Sequence, residues 1–485
     1  MRKALLILVF SISLAALSMA QNAGDAYRYS SYTNSGSSRF MGLSGAMGSI
    51  GADISTLNYN PAGMGIYRSS EYVFAPRYLY NATETSYSGQ TRSNHRDNFN
   101  YGMFGVVSSI PIFNPVNPDI SGWKYVQFGF SLNRVDNYRS DIFIEGESYG
   151  GSKVFEWQND AQGNYPDNLN VFGSALAWET YLLDTINGYP DRYITAVPIG
   201  GVYHSYSSFS EGYKNEMTFA FSGNYNNKLF VGASMAFSFV RYYNTTILTE
   251  TALENPAAYE FDYFKYREEL STMGNGFNAK FGLIYLISPS IRINAAFHTP
   301  TWFYNMNDYY FTRVDSKMGD GQSYYQSSPN GSFDYKLTTP LRAMGGISVF
   351  IQNRGFISVD YEYMDFGAAH FKDQYNSFTA VNQEIKDVYQ ATHSLRIGGE
   401  LRLQPFSLRG GYGISTSGVD TEINELFDSQ YSLGIGYRTG AFAFDFSFMR
   451  KRHSQNYYMY HSDYVNPAYL ISNTNFFSAT LGFKF

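Results

Sequence analysis

Charged side chains that alternate with uncharged ones are the most evident candidates for chemistry in this sequence. Such positions occur in two separate runs: Asp360 and Glu362, then Arg396, Glu400 and Arg402. Side chains at even spacing on a β-strand point to one face of the sheet. Carboxylates and guanidinium groups on one face could order a neighbouring segment or guide a charged ligand. Ordinary ion pairing is the simpler interpretation, because any hydrated barrel interior carries paired charges.

Catalytic motifs are absent from the sequence. It contains no Gly-x-Ser-x-Gly, no Gly-x-x-x-x-Gly-Lys-Ser/Thr, no His-Glu-x-x-His and no cysteine. His95 and Asp97 lie in a polar stretch, where a solvated loop is a simpler interpretation than an acid–base pair. Asp262, Glu268 and Glu269 could bind a divalent cation through oxygen, but solvated charges are again simpler. We therefore predict no catalytic residue, no metal site and no cofactor.

Several segments alternate apolar with polar or small side chains. They are residues 229–240, 291–298, 395–403 and 442–448. A membrane-spanning strand needs about 9–11 residues of this pattern. One face suits lipid, and the other carries charges that lipid would not tolerate. The alternation alone does not say which face is inward, because a soluble barrel has the reverse polarity.

The first 20 residues have the pattern of a signal peptide. Arg2 and Lys3 precede an apolar run over residues 4–17, and Ser18 and Ala20 are small residues of the kind that a signal peptidase reads. The apolar run is short for a membrane helix, which needs about 20 residues. We predict cleavage after residue 20 and export of the mature chain.

The composition narrows the class of protein. The chain has 45 Tyr, 40 Phe and 44 Gly, while charged residues make up only 16% and the net charge is −6. The mean hydropathy of −0.29 argues against a bundle of membrane helices. The mild acidity argues against a nucleic-acid partner, which leaves a basic footprint. A transmembrane β-barrel with aromatic girdles fits these values, and so does a soluble β-sandwich array or β-helix.

The C-terminus favours the membrane barrel. Counting back in twos from the last residue gives an apolar row: Phe485, Phe483, Leu481, Ala479 and Phe477. This row resembles the terminal strand of outer-membrane barrels, whose closing aromatic residue is read by the assembly machinery. We therefore predict Phe485 as an assembly signal.

The N-terminal and loop regions complete the predicted architecture. Polar stretches at residues 145–191, 315–333 and 456–475 are predicted as long extracellular loops, and short turns join the other strand ends. We predict an all-β protein, a transmembrane antiparallel β-barrel over residues 71–485. Residues 21–70 do not read as strand and carry a glycine at every third position from 42 to 51. Such a stretch suits either a plug packed inside the lumen or a flexible terminus.

A motif between residues 53 and 63 is more specific. The residues that carry it are Asp53, Ser55, Thr56, Asn60, Pro61, Ala62 and Gly63. It resembles the N-terminal hatch of the FadL/TodX family of outer-membrane transporters for long-chain fatty acids and other hydrophobic compounds. Ile54 departs from the alanine usual in that family. The resemblance is collinear from about residue 39 to residue 485 and fades in the loops, above all at residues 145–216.

The resemblance implies a barrel of about 14 strands with a small N-terminal hatch, residues 21–70, in the lumen. The seven motif residues would then belong to the hatch and its gating. It also implies passive uptake of a hydrophobic small molecule, with a hatch shift and lateral release into the membrane.

The implied setting is the bacterial outer membrane. Outer-membrane lipid, lipopolysaccharide and the barrel assembly machinery would be the partners of a monomer. Two other functions stay open from the residues alone: a general porin for polar solutes, and a structural or adhesive barrel.

Overall fold

The computed structural model describes residues 22–112, 122–197, 200–253, 260–373, 378–419 and 427–485. The predicted signal peptide, residues 1–20, lies outside the described residues. The strands, in chain order, are β1 Glu71–Tyr87, β2 Gln90–Pro111, β3 Trp123–Asn137, β4 Ser140–Ser148, β5 Leu183–Ile186, β6 Tyr189–Thr195, β7 Val202–Tyr225, β8 Leu229–Ala252, β9 Phe261–Ser288, β10 Ile291–His298, β11 Trp302–Met318, β12 Ser323–Ser327, β13 Gly331–Thr338, β14 Arg342–Ile351, β15 Gly355–Asp365, β16 His370–Lys372, β17 Ala391–Leu403, β18 Phe406–Thr416, β19 Phe427–Thr439, β20 Phe442–Tyr457 and β21 Ala468–Lys484. The α-helices are α1 Ala23–Ser30, α2 Ser38–Met41, α3 Thr56–Tyr59, α4 Lys153–Ala161, α5 Ser174–Glu179 and α6 Thr379–Val388, and 3-10 helices span Pro61–Ile66, Pro166–Asn168 and Phe366–Ala368.

The strands form a closed antiparallel barrel with 14 wall strands, some of which are interrupted and so contain more than one of the β-strands above. Three of the 14 wall strands consist of two β-strands in succession, β3 with β4, β10 with β11, and β15 with β16, and one consists of three, β12, β13 and β14. Closure comes from the pairing of β1 with β21, which runs from Glu71 opposite Lys484 to Ser86 opposite Tyr469. The predicted fold class is confirmed.

Apolar side chains point outward and charged ones inward. On β17, Leu395 and Leu401 are 47% and 49% exposed, whereas Arg396 and Glu400 between them are 2% and 5% exposed. The alternation predicted for residues 395–403 is therefore present with the polarity of a membrane barrel, since a soluble barrel would bury the leucines. Within the described ranges, no helix is long and apolar enough to cross a bilayer.

The two ends of the barrel differ in their connections. At one end, the short-turn end, five of the six connections have two or three residues, at 226–228, 289–290, 352–354, 404–405 and 440–441, and the sixth, between β2 and β3, spans residues 112–122. The chain's C-terminus lies at this end, because the Phe485 amide donates to the Ser70 carbonyl at 3.0 Å. The opposite end, the long-loop end, carries longer connections, apart from the turn at residues 88–89.

The long-loop end is more ordered than the sequence predicted. The three stretches predicted as loops contain β-structure at their edges, and residues 145–191 also contain α4 and α5. These helices bury Val154, Trp157 and Leu176 in an apolar cluster with Leu248 and Phe264 of the barrel wall. The sequence did not predict this internal order, because the polar composition hides apolar residues at helical spacing.

Candidate functional site

The chain before β1 runs through the inside of the barrel. We call residues 22–66 the inner segment; it contains α1, α2, α3 and the 3-10 helix Pro61–Ile66. Residues 35–51 are buried without exception. Leu43, Leu57 and Met64 are fully buried, and each apolar side chain of this size contributes about 1.5–3 kcal/mol on burial. The inner segment is therefore tightly packed inside the barrel and is not a loose terminus.

The first half of the motif joins two parts of the inner segment by hydrogen bonds. The Asp53 carboxylate accepts bonds from the Ser37 hydroxyl at 2.8 and 2.9 Å and from the Ser55 amide at 2.9 Å. The Ser55 hydroxyl accepts from the Ser37 amide at 2.8 Å, and the Thr56 hydroxyl donates to the Asp53 carbonyl at 2.7 Å. These bonds join residue 37 to residues 53–56 and close a loop within the inner segment.

The second half of the motif forms a tight turn. The Asn60 side chain donates to the Gly48 carbonyl at 2.9 Å and accepts from the Ala62 amide at 3.2 Å. Pro61 begins the 3-10 helix, where its missing amide hydrogen is no loss. The Gly63 amide donates to the Asn60 carbonyl at 2.9 Å. All seven motif residues thus lie together in the lumen, and their role in gating stays a prediction.

Glycines in the barrel wall make room for the inner segment. A Cβ atom added at Gly232 of β8 would lie 2.4 Å from the Pro61 carbonyl carbon, and one added at Gly411 of β18 would lie 2.4 Å from the Leu43 carbonyl carbon. In both places the obstacle is backbone, which cannot rotate away. The wall and the inner segment therefore approach more closely than any residue with a side chain allows.

We expect Gly232→Ala to loosen the inner segment while leaving the barrel intact. The added methyl group overlaps the Pro61 backbone, and overpacking of this kind costs about 1–3 kcal/mol. Hydrogen exchange of residues 57–66 should accelerate in the purified variant. Gly399→Ala is the matched control, because the nearest atom to its added Cβ is 3.5 Å away. Equal exchange in both variants would contradict the close fit.

An ion network joins α2 to the wall. Arg39 donates to Glu400 at 3.0 Å, and the same carboxylate accepts from Arg402 at 2.9 Å and from Arg409 at 2.8 Å. Arg409 also pairs with Asp445 at 2.5 Å. Burial alone would lower the pKa of Arg39, but the neighbouring carboxylates, Glu400 above all, outweigh burial and raise that pKa. Arg39 is therefore held as a cation inside the barrel.

A second ion network lies on the same side of the wall, on the neighbouring strands β14, β15 and β17. Glu362 of β15 accepts from Arg342 at 2.9 Å and from Arg396 at 2.8 Å. Arg396 also donates to the Tyr59 hydroxyl of the inner segment. All five charged residues singled out from the sequence thus contact the inner segment: Asp360, Arg396 and Glu400 do so directly, and Glu362 and Arg402 do so through Arg396 and Glu400.

Further hydrogen bonds fasten the inner segment at several points around the wall. The pairs are the Ser38 amide to the Thr480 hydroxyl at 2.7 Å, the Ser44 and Ser432 hydroxyls at 2.9 Å, the Gly48 amide to the Asp360 carboxylate at 2.7 Å, and the Ser49 and Ser348 hydroxyls at 2.8 Å. The partners stand on β21, β19, β15 and β14. The segment is consequently held from several sides of the lumen at once.

Helix α1 occupies an apolar part of the lumen nearer the long-loop end. The Tyr29 ring packs edge-on against Tyr138 and Tyr242, with ring centroids 6.3 and 6.2 Å apart. Burial raises the pKa of Asp25 in the same helix, and its ion pair with Arg28 works against that rise. This helix fills the space in which an apolar ligand could otherwise be buried.

A cavity of about 240 Å³ remains between the inner segment and the wall. It is lined by Tyr27, Ser31, Thr33, Arg77, Leu79, Asn100, Arg134, Val135, Asp136, Asn137, Asp428, Lys451, His453, Ser472, Thr474 and Phe476. Sequence reasoning named none of these residues as site candidates. The lining residues on β1, β20 and β21 alternate along their strands and so face inward, but no motif distinguishes them from other lumen residues.

The acidic residues weighed as a cation site are not brought together. Asp262 pairs with Lys317 at 2.9 Å, Glu269 pairs with Arg267 at 2.5 Å, and Glu268 accepts the Tyr310 hydroxyl at 2.6 Å. In the part of the chain that the structure describes, no three potential metal-ligating side chains cluster.

Phe485 stands apart from the lumen. It is 65% exposed at the short-turn end, and its ring stacks on Tyr72 of β1 at 4.7 Å. Its role as an assembly signal stays a prediction.

Comparison with known proteins gives the fold. No protein-family model and no curated protein sequence matches the chain. Among solved structures, the Pseudomonas putida toluene transporter TodX is similar at a TM-score of 0.54 and 11% identity, covering 93% of this chain and 99% of TodX. A Pseudomonas aeruginosa FadL homologue is similar at 0.54 and 12%, covering 94% and 99%. The chain has the FadL/TodX fold.

A third structure has the same architecture. The CymD monoaromatic hydrocarbon channel is similar at a TM-score of 0.52 and 11% identity, covering 94% of this chain and 99% of CymD. At such identities the likeness shows the FadL/TodX fold and says nothing further about the ligand of this chain. It does confirm the fold family that the motif at residues 53–63 and the collinear strands indicated.

Proposed function

We propose that this protein is an outer-membrane channel for the passive uptake of hydrophobic molecules, with the inner segment as its hatch. One observation carries the proposal. The barrel has an apolar outer surface, and its lumen is filled by a segment that hydrogen bonds fasten to the wall. The solved structures of the same fold include a toluene transporter and a monoaromatic hydrocarbon channel by their names. The proposed location is the bacterial outer membrane, as a monomer among lipid and lipopolysaccharide.

The packing of the inner segment favours this function over a general porin. A porin for polar solutes needs an open, hydrated bore. Here Phe40, Met41 and Leu43 are buried against the wall in the middle of the lumen. Movement of the segment would have to precede passage of any solute, which fits a ligand-driven shift between two states.

The wall itself has a discontinuity that suits lateral release. β2 pairs with β3 only from Met103 opposite Asn133 to Pro111 opposite Tyr125. Beyond that point, among the described pairings, residues 90–100 of β2 pair with β1 alone, and residues 134–137 of β3 and 140–148 of β4 pair with β7 alone. We call the space between these two stretches the seam.

Side chains rather than backbone bonds span the seam. Arg92 donates to Glu145 at 2.6 Å, and the Asn98 amide donates to Asn137 at 3.2 Å. The 240 Å³ cavity is lined from both sides of the seam, by Asn100 and by residues 134–137. Further bonds hold β4 to the β1–β2 hairpin, from the Thr83 hydroxyl to the Asp141 carbonyl at 2.6 Å and from Arg96 to the Asp141 carboxylate at 3.2 Å. A ligand in the cavity could therefore leave sideways by parting side-chain contacts, some of them buried, without breaking a strand ladder. We propose the seam as the exit.

Uptake in cells tests the proposed function. The full chain is expressed in a host that lacks its own hydrophobic-compound channels, and uptake of labelled oleate and toluene is compared with that of a labelled disaccharide. We expect faster uptake of at least one apolar compound and no change for the sugar. Faster sugar uptake, together with a steady open conductance in planar bilayers, would instead establish a porin.

A further inference from the structure

The cavity beside the seam holds more positive charge than its carboxylates balance. Arg77, Arg134 and Lys451 share the lining with Asp136 and Asp428. The other titratable side chains of the lining are those of His453 and Tyr27. The His453 ring pairs with Asp428 at 2.7 Å. The Asp136 carboxylate accepts the Thr33 hydroxyl at 2.9 Å. The lining thus carries an excess of at least one cation.

Two of the guanidinium groups lack a counter-charge. Arg77 is 2% exposed, its Nη2 donates to the Gly36 carbonyl at 3.2 Å, and its Nε is buried without a partner. Arg134 donates to the Asn215 side chain at 3.1 Å and lies over the Tyr213 ring at 4.4 Å. Among the described residues, neither pairs with a carboxylate. Arg77 is buried and Arg134 is half-buried. Burial of a guanidinium group without an anion is costly, above all for Arg77, and a bound anion would remove that cost.

The cavity is larger and more polar than a simple carboxylate requires. At 240 Å³ it has room for several water molecules, whose share of liquid volume is about 30 Å³ each. The hydroxyl and amide side chains of Ser31, Asn100, Asn137, Ser472 and Thr474 line it together with the charges. The Ser31, Ser472 and Thr474 hydroxyls already donate to Tyr27 and Asn81, so they offer acceptors, whereas the buried Asn100 side-chain nitrogen has no partner and offers a donor. The lining therefore suits a head group that has hydrogen-bonding atoms in addition to its anion.

We propose that this cavity binds the polar head of an amphiphile that combines an anionic group with amide or hydroxyl groups, as an N-acyl amino acid does. The inference rests on the proposed function, because the head must reach the cavity through the channel. Arg77 and Arg134 bind the anion, and the amide and hydroxyl side chains bind the rest of the head. The apolar tail lies toward Leu79, Val135 and Phe476.

Binding of three ligands with one shared tail tests the proposal. N-decanoylglycine, decanoate and decanol are titrated into the full chain in one nonionic detergent and followed by calorimetry. We expect the tightest binding for N-decanoylglycine, weaker binding for decanoate and the weakest for decanol. Equal affinities for the three would overturn the inference and show the cavity to be a hydrated void, yet would leave the proposed function standing. Absence of binding by all three would count against both.

Two variants locate the anion site. Arg134→Gln should weaken binding of N-decanoylglycine about tenfold, the effect of one charge-assisted hydrogen bond, and should leave decanol binding unchanged. Arg77→Gln should do the same, but its bond to Gly36 also touches the inner segment, so Arg134→Gln is the decisive variant. Arg354→Gln, an exposed arginine in a turn at the short-turn end, is the matched control. An equal effect of Arg134→Gln and Arg354→Gln would overturn the assignment.

Discussion

Glu400→Ala should release the inner segment more strongly than any other single substitution in the ion networks. The carboxylate accepts from Arg39, Arg402 and Arg409 and is 5% exposed. Its loss leaves Arg39 in the lumen without its anion. Removing one partner of a buried ion pair costs about 3–5 kcal/mol, because the remaining charge is left uncompensated. We expect that cost to fall on the docking of α2 rather than on the strand ladders.

Hydrogen exchange separates those two outcomes. Amides of residues 38–52 should exchange faster in Glu400→Ala, while those of β17 and β18 should keep their protection. Glu147→Ala is the matched control, because this carboxylate is exposed at the long-loop end and accepts only the Tyr149 hydroxyl among the described contacts. Surface changes of this kind stay within about 0.5 kcal/mol. If strand protection collapsed together with that of residues 38–52, the network would be part of the barrel's stability and not a fastening.

A disulfide between the inner segment and the wall should block transport. The Ser49 and Ser348 hydroxyls are 2.8 Å apart, and both side chains are buried. The chain has no cysteine, so the double substitution Ser49→Cys with Ser348→Cys introduces a single possible disulfide. Such a bond restrains a segment by about 2–4 kcal/mol, and each 1.4 kcal/mol is tenfold in an equilibrium. We therefore expect uptake of the apolar ligand to fall at least about tenfold under oxidation.

The reducing agent and a second pair supply the controls. Reduction should restore uptake in the same cells. The Ser394 and Ser415 hydroxyls, also 2.8 Å apart, join neighbouring strands β17 and β18. Their replacement by a cysteine pair cross-links the wall without touching the inner segment and should leave uptake unchanged. Full transport by the oxidised Ser49–Ser348 variant would rule out a hatch that moves at this point.

The barrel could be predicted from the sequence because its signals are local. Leu395, Arg396, Ile397 and their neighbours alternate within a single strand, and the strand obeys the period of two wherever it lies. To predict which face of the strands points outward needed further information, since alternation is symmetric between the two faces. The signal-peptide pattern and the terminal Phe485 supplied it, and the exposure of Leu395 and Leu401 confirms it.

The contacts of the inner segment could not be predicted in the same way. Arg39 and Glu400 are 361 positions apart, and no spacing rule connects them. The fit of Gly232 against Pro61 depends on which inward-facing wall glycine lies at the level of Pro61 along the barrel axis. The motif at residues 53–63 marked the right stretch, but the seam has no comparable mark. It follows from where β2 and β3 stop pairing, near the left-handed Gly102.

One hydrogen bond has a consequence for biogenesis. The Ser38 amide of α2 has its partner Thr480 on the final strand. The inner segment is synthesised first, yet this contact cannot form until the residues of β21 have been made. The last attachment of the inner segment therefore waits for the final strand, and its docking ends no earlier than the addition of that strand to the barrel.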